Sequence, residues 1–262
     1  MKIILHADDF GFTDDTVDAT IKCFEEGILS SASIMVNCAS SQKAIEYART
    51  HPQFSFGLHL TYVDGLIPAV NPTLLSSLVD DNGKFLGSNE VRKSALFFKL
   101  NVNLILLETE SQINLLSSGG VAISHLDSHG HLHKFPSFLL ALSRLAKGQK
   151  QIKVRRVQNV FMQPHTNAYS PKVIVNSILA SYIVKNFRTT DYFYMPANSF
   201  DTKWANNILR QMDRMPTDSV IEIGVHPGYL ESWRKDEYRD IRDFVELLYK
   251  QGKHQIVNWN YI

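Results

Sequence analysis

Short apolar runs alternate with longer amphipathic stretches along this chain. Lys2–His6 is an apolar run that ends at Ala7-Asp8-Asp9-Phe10-Gly11. Thr13 or Asp14 caps a predicted helix running toward Glu26, with Gly27 as its terminator. Ser33–Asn37 reads as the next strand, Ser40–Thr50 as a helix, and Phe54–Tyr62 as a third strand. A loop-rich insert follows over about residues 64–90, then a helical region from Val91 to Ser117 and a strand at Val121–Asp127. The alternation resumes with helix Phe135–Lys147, strand Ile152–Val157 and helix Pro171–Lys185, whose first turn tolerates the proline. Asp191–Met195 is strand-like, Thr202–Met212 helical, Val220–Val225 a strand, Asp236–Gln251 a helix with Gly252 beyond it, and Gln255–Trp259 a last strand.

Seven or eight strands separated by helices imply mostly parallel pairing with right-handed crossovers, the α/β class. No glycine-rich phosphate loop follows the first strand, so a barrel-like (β/α) fold, an incomplete TIM-type barrel, is expected rather than an open doubly wound sheet. At 262 residues, with no repeat or linker in view, residues 1–262 are expected to form a single domain. Composition narrows the function classes. With 44% hydrophobic and 20% charged residues the chain is globular, and 27 Lys and Arg against 26 Asp and Glu leave no basic excess for nucleic-acid binding. Two cysteines exclude a disulfide scaffold and a four-cysteine zinc site. The apolar N-terminal run turns polar at His6, too early for a signal peptide, and no stretch approaches the ~18 apolar residues of a membrane span. A cytoplasmic protein is the expectation.

Candidate chemistry gathers where parallel folds bind ligands, beyond the carboxyl ends of strands. Asp8 and Asp9 follow the first strand, as acids at a helix entry or as a metal ligand beside a general base. The chain turns there, which would let both carboxylates approach one mouth. His59 sits in the apolar run Phe56-Gly57-Leu58-His59-Leu60, where a lone imidazole needs a partner. His125, His129, His131 and His133 surround Asp127 within nine residues, a concentration of imidazoles rare in a solvated loop. Not all four can reach one ion, so some must orient others or bind substrate. His226-Pro227-Gly228 ends a late strand, where an imidazole can serve as a general acid. Tyr62, Trp204, Tyr229 and Trp233 are candidate sugar-stacking surfaces.

The ordered set Ala7-Asp8-Asp9-Phe10-Gly11, Gly57-Leu58-His59-Leu60, His125-Leu126-Asp127-Ser128-His129-x-His131-x-His133 and His226-Pro227-Gly228 resembles the YdjC/ChbG-like carbohydrate deacetylases. Gly27–Ser33 and Met35-Val36-Asn37 match the same family's second strand region. The resemblance implies a barrel-like fold, one divalent metal ion (magnesium or zinc), and removal of acetyl groups from N-acetylated sugars such as chitooligosaccharides. It implies Asp9, His59 and His129 as metal ligands, Asp8 as catalytic base and His226 as the assisting acid. His125, Asp127, His131, His133 and Arg156 are then expected to bind substrate or to orient ligands. The implied partner is a small N-acetylated carbohydrate, with no nucleic acid or membrane, and a homodimer is open. Two departures touch the pocket: His6 stands where the family usually has Asn, and Gly130 where a histidine is frequent. A metal-dependent sugar isomerase and a catalytically idle sugar-binding protein are the alternatives. The first would need more carboxylates than Asp8, Asp9 and Asp127, and the second would have lost a site residue.

Overall fold

A computed structural model describes residues 1–147, 152–161, 171–196 and 204–262. Its centre is a curled, all-parallel sheet of β1 (Lys2–Phe10), β2 (Ser31–Ile34), β3 (Ser55–Leu60), β4 (Ile123–Ser128), β5 (Tyr192–Tyr194) and β6 (Val220–Val225), in the order β4-β3-β2-β1-β6-β5. A short β7 (Gln255–Val257) pairs with Lys2–Ile4, on the edge of β1 whose upper half, His6–Phe10, takes β2. Helices α1 (Asp14–Glu25), α2 (Ser41–Thr50), α3 (Ser88–Leu96), α4 (Val102–Ser118), α5 (Pro136–Leu145), α6 (Pro171–Asn186), α7 (Trp204–Met212) and α8 (Ser232–Gln251) form the connections. This is the expected incomplete barrel. β4 and β5 do not pair, and the seam between them is crossed by residues 152–155 through single bridges, Leu126↔Val154 and Lys153↔Arg188. The strand expected at Ile152–Val157 is therefore reduced to those bridges.

Other boundaries moved for local reasons. The predicted helix over Val91–Ser117 is two helices, broken around Phe98, which has a left-handed φ of 55°. α8 begins four residues earlier than expected, and the expected start of α7 at Thr202 lies outside the described residues. Thr13 caps α1 in a capping box with Thr16, and Gly252 ends α8 in the left-handed region, as the sequence indicated.

The alternation within the strands is inverted from that of an ordinary barrel. Ile3, Leu5, Ala7, Ala32, Ile34, Phe56 and Leu58 are buried in the main core beneath the helices. The alternate positions turn inward and are polar: His6 and Asp8, Ser31 and Ser33, His59, His125 and Asp127, Glu222, all 2% exposed or less. The floor of the barrel is apolar, where Ile4, Val220 and Trp259 form a second, small cluster. Buried polar groups are costly unless paired, so this interior must be a connected network.

Candidate active site

Two adjacent carboxylates share one mouth because β1 carries a bulge. Against β2, Ala7 pairs with Ala32 and Phe10 with Ile34, so Asp8 and Asp9 together oppose the single residue Ser33. Asp9 takes a φ of 60°, turning its side chain to the same side as Asp8. The turn continues through Gly11 (φ 104°), where a Cβ would lie 2.8 Å from the Met35 carbonyl oxygen, so no larger residue fits.

Asp9 Oδ1 lies 3.0 Å from His129 Nδ1 and 3.4 Å from His59 Nε2, and one donor atom from each residue falls within 4.8 Å of the others. Every member is held from behind. His59 Nδ1 donates to Asp127 Oδ1 at 2.9 Å, which leaves Nε2 facing Asp9. Asp9 Oδ2 accepts from Arg234 Nη2 at 2.7 Å. His129 Nε2 faces Asp64 Oδ2 at 3.5 Å. Two imidazoles and a carboxylate, with Asp9 and His59 buried, His129 a quarter exposed and all three oriented by outer partners, are a donor set suited to a divalent ion. In the metal-free geometry burial would lower both imidazole pKa values, but the acids win: Asp127 foremost for His59, raised to about 10, and Asp64 and Asp9 for His129, raised to about 9. Burial would likewise raise Asp9, and hydrogen bonds from His129 and His59 hold it well below the usual carboxylate range instead.

Asp8 has different company. Arg155 grips it with both terminal nitrogens, Nη1 to Oδ2 and Nη2 to Oδ1, each at 2.8 Å. The same buried guanidinium reaches Asp127 Oδ2 at 2.6 Å and donates from Nε and Nη2 to Glu222 Oε1 at 3.0 and 2.8 Å. Burial works against the Asp8 charge, yet Arg155 holds that carboxyl below its ordinary range, while burial pushes Glu222 up to about 7. Across from Asp8 stands His226, its Nε2 4.0 Å from Asp8 Oδ2. His226 Nδ1 donates to Glu237 Oε2 at 3.1 Å, and the same oxygen accepts the His226 backbone N–H at 2.6 Å. Burial would lower the imidazole pKa, but the Glu237 carboxylate raises it. The pocket thus presents an ionised acid opposite an imidazole biased toward its protonated form.

Asp8, Asp9, His59, His129, His131 and His226 all line this pocket of about 400 Å³, together with Asp64 from the insert, Ser88 and Arg92 from α3, and Trp233 and Arg234 from α8. The remaining histidines separate by depth. His131 faces the pocket. His133 is buried behind it, its Nδ1 2.8 Å from Ser128 Oγ. His125 neither orients a candidate ligand nor reaches the mouth. Two residues before Asp127 on β4, it sits a layer deeper, stacked on Trp259 at 4.3 Å and packed against Gly57. Arg156 also points elsewhere, toward the Thr190 carbonyl at 3.3 Å, and the arginine of the site is its neighbour Arg155. Tyr62 and Trp204 are buried packing residues, each 1% exposed, and Tyr229 packs on Tyr238 outside the pocket lining, which leaves Trp233 as the aromatic wall. Arg155, Glu222, Arg234, Glu237 and Asp64 were not singled out from the sequence. None belongs to a histidine-rich or acid-pair motif, and only the acid-glycine turn at Asp64-Gly65 marked its position.

Comparison with known proteins agrees with the geometry. The model for the YdjC-like protein family matches residues 2–253. A carbohydrate deacetylase of Vibrio parahaemolyticus is 32% identical over 234 residues, covering 88% of this chain and 80% of its own. Carbohydrate deacetylase 1 of Listeria innocua is 28% identical over 250 residues, 94% of this chain and 87% of its own. The solved structure of a "putative cellobiose-phosphate cleavage protein" from Enterococcus faecalis V583 superposes with a TM-score of 0.76 at 23% identity, covering 99% of this chain and 98% of that one, and so shares the fold. The Ala7–Gly11 turn, the His59 and His129 strand ends and the His226-Pro227-Gly228 loop all lie within the matched span, and the chain belongs to the YdjC-like family.

Proposed function

We propose that this chain is a carbohydrate deacetylase that hydrolyses the acetamido group of an N-acetylated, chitooligosaccharide-like sugar and depends on one divalent metal ion. The observation that carries the reading is the opposed pair Asp8 and His226, 4.0 Å apart, set beside the Asp9, His59 and His129 donor cluster. Asp9, His59 and His129 would hold the ion, and two imidazole nitrogens with one carboxylate fit zinc more closely than the oxygen-rich shell magnesium prefers. The ion would supply Lewis-acid polarisation of the acetyl carbonyl and a water of lowered pKa.

The protein's own groups do the rest. Arg155 fixes both oxygens of Asp8 and keeps the carboxylate ionised, so that it can accept a proton from the attacking water. His226 Nε2, with Nδ1 committed to Glu237, donates a proton to the departing sugar amine. Trp233 offers an aromatic wall for the pyranose ring. The extra carboxylates do not favour an isomerase, because neither Glu222 nor Glu237 lines the pocket.

Acetate release from a panel of N-acetylated mono- and oligosaccharides, by metal-stripped protein with and without added zinc or magnesium, tests the proposal. Metal-dependent acetate release is expected. Loaded protein that releases none from any member of the panel would overturn it.

A further inference from the structure

Among the described residues, four that are not glycine have left-handed φ values: Asp9, Asp64, Phe98 and His131. Three of them line the pocket. Backbone held in this region persists where the surroundings over-determine it, and it clusters at working sites. Asp9 is there because of the bulge and His131 because of the turn after β4. Asp64 stands on the insert between β3 and α3, with its carboxylate facing His129.

Its surroundings fix it closely. The Asp64 backbone N–H donates to the Leu86 carbonyl at 3.0 Å, closing the insert on itself. Its carboxylate accepts the Ser88 N–H at 3.1 Å, at the first residue of α3, and the Ser88 hydroxyl at 2.8 and 2.7 Å. A carboxylate at a helix N-terminus is favoured by the unpaired amides there. With those contacts made, Oδ2 still lies 3.5 Å from His129 Nε2, on the side of the ring away from Asp9. The ring is further confined by Phe12, stacked at 6.4 Å between centroids.

An imidazole that ligates through one nitrogen is oriented by what the other nitrogen donates to. His59 has Asp127 in that role, a fully buried residue on the barrel wall. His129 has no partner on the wall for Nε2. We infer that Asp64 is the positioning residue of the proposed metal centre: anchored by Ser88, it holds the Nε2–H of His129 so that Nδ1 faces Asp9. This rests on the reading of Asp9, His59 and His129 as ligands. It makes the insert a structural part of the centre, through a contact that lies at the pocket rim.

Two substitutions test it. Asp64→Gly removes the carboxylate and suits the left-handed backbone, so the fold is not put at risk by strain. Asp64→Asn keeps an acceptor in place without the charge. Zinc titration of the metal-stripped proteins by calorimetry should show one site in each, with affinity weakened about 10- to 100-fold in Asp64→Gly and less in Asp64→Asn. Long-range proton–nitrogen NMR of the zinc-loaded wild type should show the His129 proton on Nε2, and that signal should broaden or shift in Asp64→Gly. Unchanged zinc affinity with a raised KM would make Asp64 a substrate contact and overturn the inference. Loss of the binding site altogether would make it a ligand and overturn it equally. Both readouts are independent of acetate release. If wild-type protein binds zinc through His129 yet releases no acetate, the deacetylase reading fails while the positioning role stands.

Discussion

Asp8 and Asp9 are neighbours in sequence with different electrostatic company, and that difference underlies the division of work proposed for them. Asp9 meets two imidazoles and one nitrogen of Arg234, whereas Asp8 is gripped by both ends of Arg155 and faces His226. Asp8→Asn should keep zinc affinity and lower kcat by about 10²–10⁴, the range for loss of a general base. Asp9→Asn should weaken zinc binding first, with activity partly restored by excess metal. Calorimetry and turnover measured across a zinc titration separate the two, and the reverse pattern would exchange the roles. The sequence made these acids legible because two charges directly after an apolar run have few structural reasons to be there. It did not distinguish Arg155 from Arg156, since a one-residue change of register turns a side chain to the opposite face. Nor did it reveal Arg234, which lay before the expected helix start and belongs to α8 because that helix starts at Ser232, or Glu237, which reads as an ordinary charged residue of an amphipathic helix.

At the scale of the element, the strands were found mainly from their apolar halves, and the polar halves supplied the candidate chemistry. The bulge in β1 was out of reach, because nothing local announces that two residues will oppose one. The floor of the barrel shows how tightly the inner layer is fitted. A Cβ on Gly57 would lie 2.6 Å from His125 Nε2 and 2.7 Å from Nδ1, and the ring cannot retreat because Trp259 is stacked behind it. Gly57→Ala should therefore cost about 1–3 kcal/mol, the usual penalty for overpacking a filled interior. Urea denaturation would show it as a lower midpoint, and an unchanged midpoint would mean that the floor is looser than described. Zinc affinity should change little, because His125 lies a layer deeper than the contact of Asp127 with His59.

For the molecule as a whole, the pH dependence of stability has a sign fixed by the site. His59 and His129, raised to about 10 and about 9 against an unfolded value near 6.5, stabilise the metal-free fold fully below pH 6.5. That contribution is lost as pH rises through 9 to 10. Asp127, held at about 2, contributes a constant amount across this window, and Glu222 makes its change below about 7. The Tm of metal-stripped protein should thus fall between about pH 7 and 10. Zinc binding requires neutral imidazoles and releases their protons, so the loaded protein should lose far less stability there and zinc affinity should rise with pH. A metal-free Tm that climbs over this range would contradict the charge assignments. The architecture at this scale was legible in the alternation of elements, whereas the weak closure between β4 and β5 was not, because Lys153–Val157 has the composition of a full strand.

That weak closure has a consequence for the order in which the chain assembles. The seam is held by two isolated bridges and by Arg155, whose carboxylate partners Asp8 and Glu222 lie 147 and 67 residues away along the chain. Contacts of such separation carry more loop-closure entropy than the local bridges of the seam and belong later in folding than those bridges do. The proposed base therefore gains its anchor only once both β1 and the segment carrying Arg155 are in place, and a partly folded chain with the seam open has no poised carboxylate. Maturation of the fold and onset of reactivity coincide.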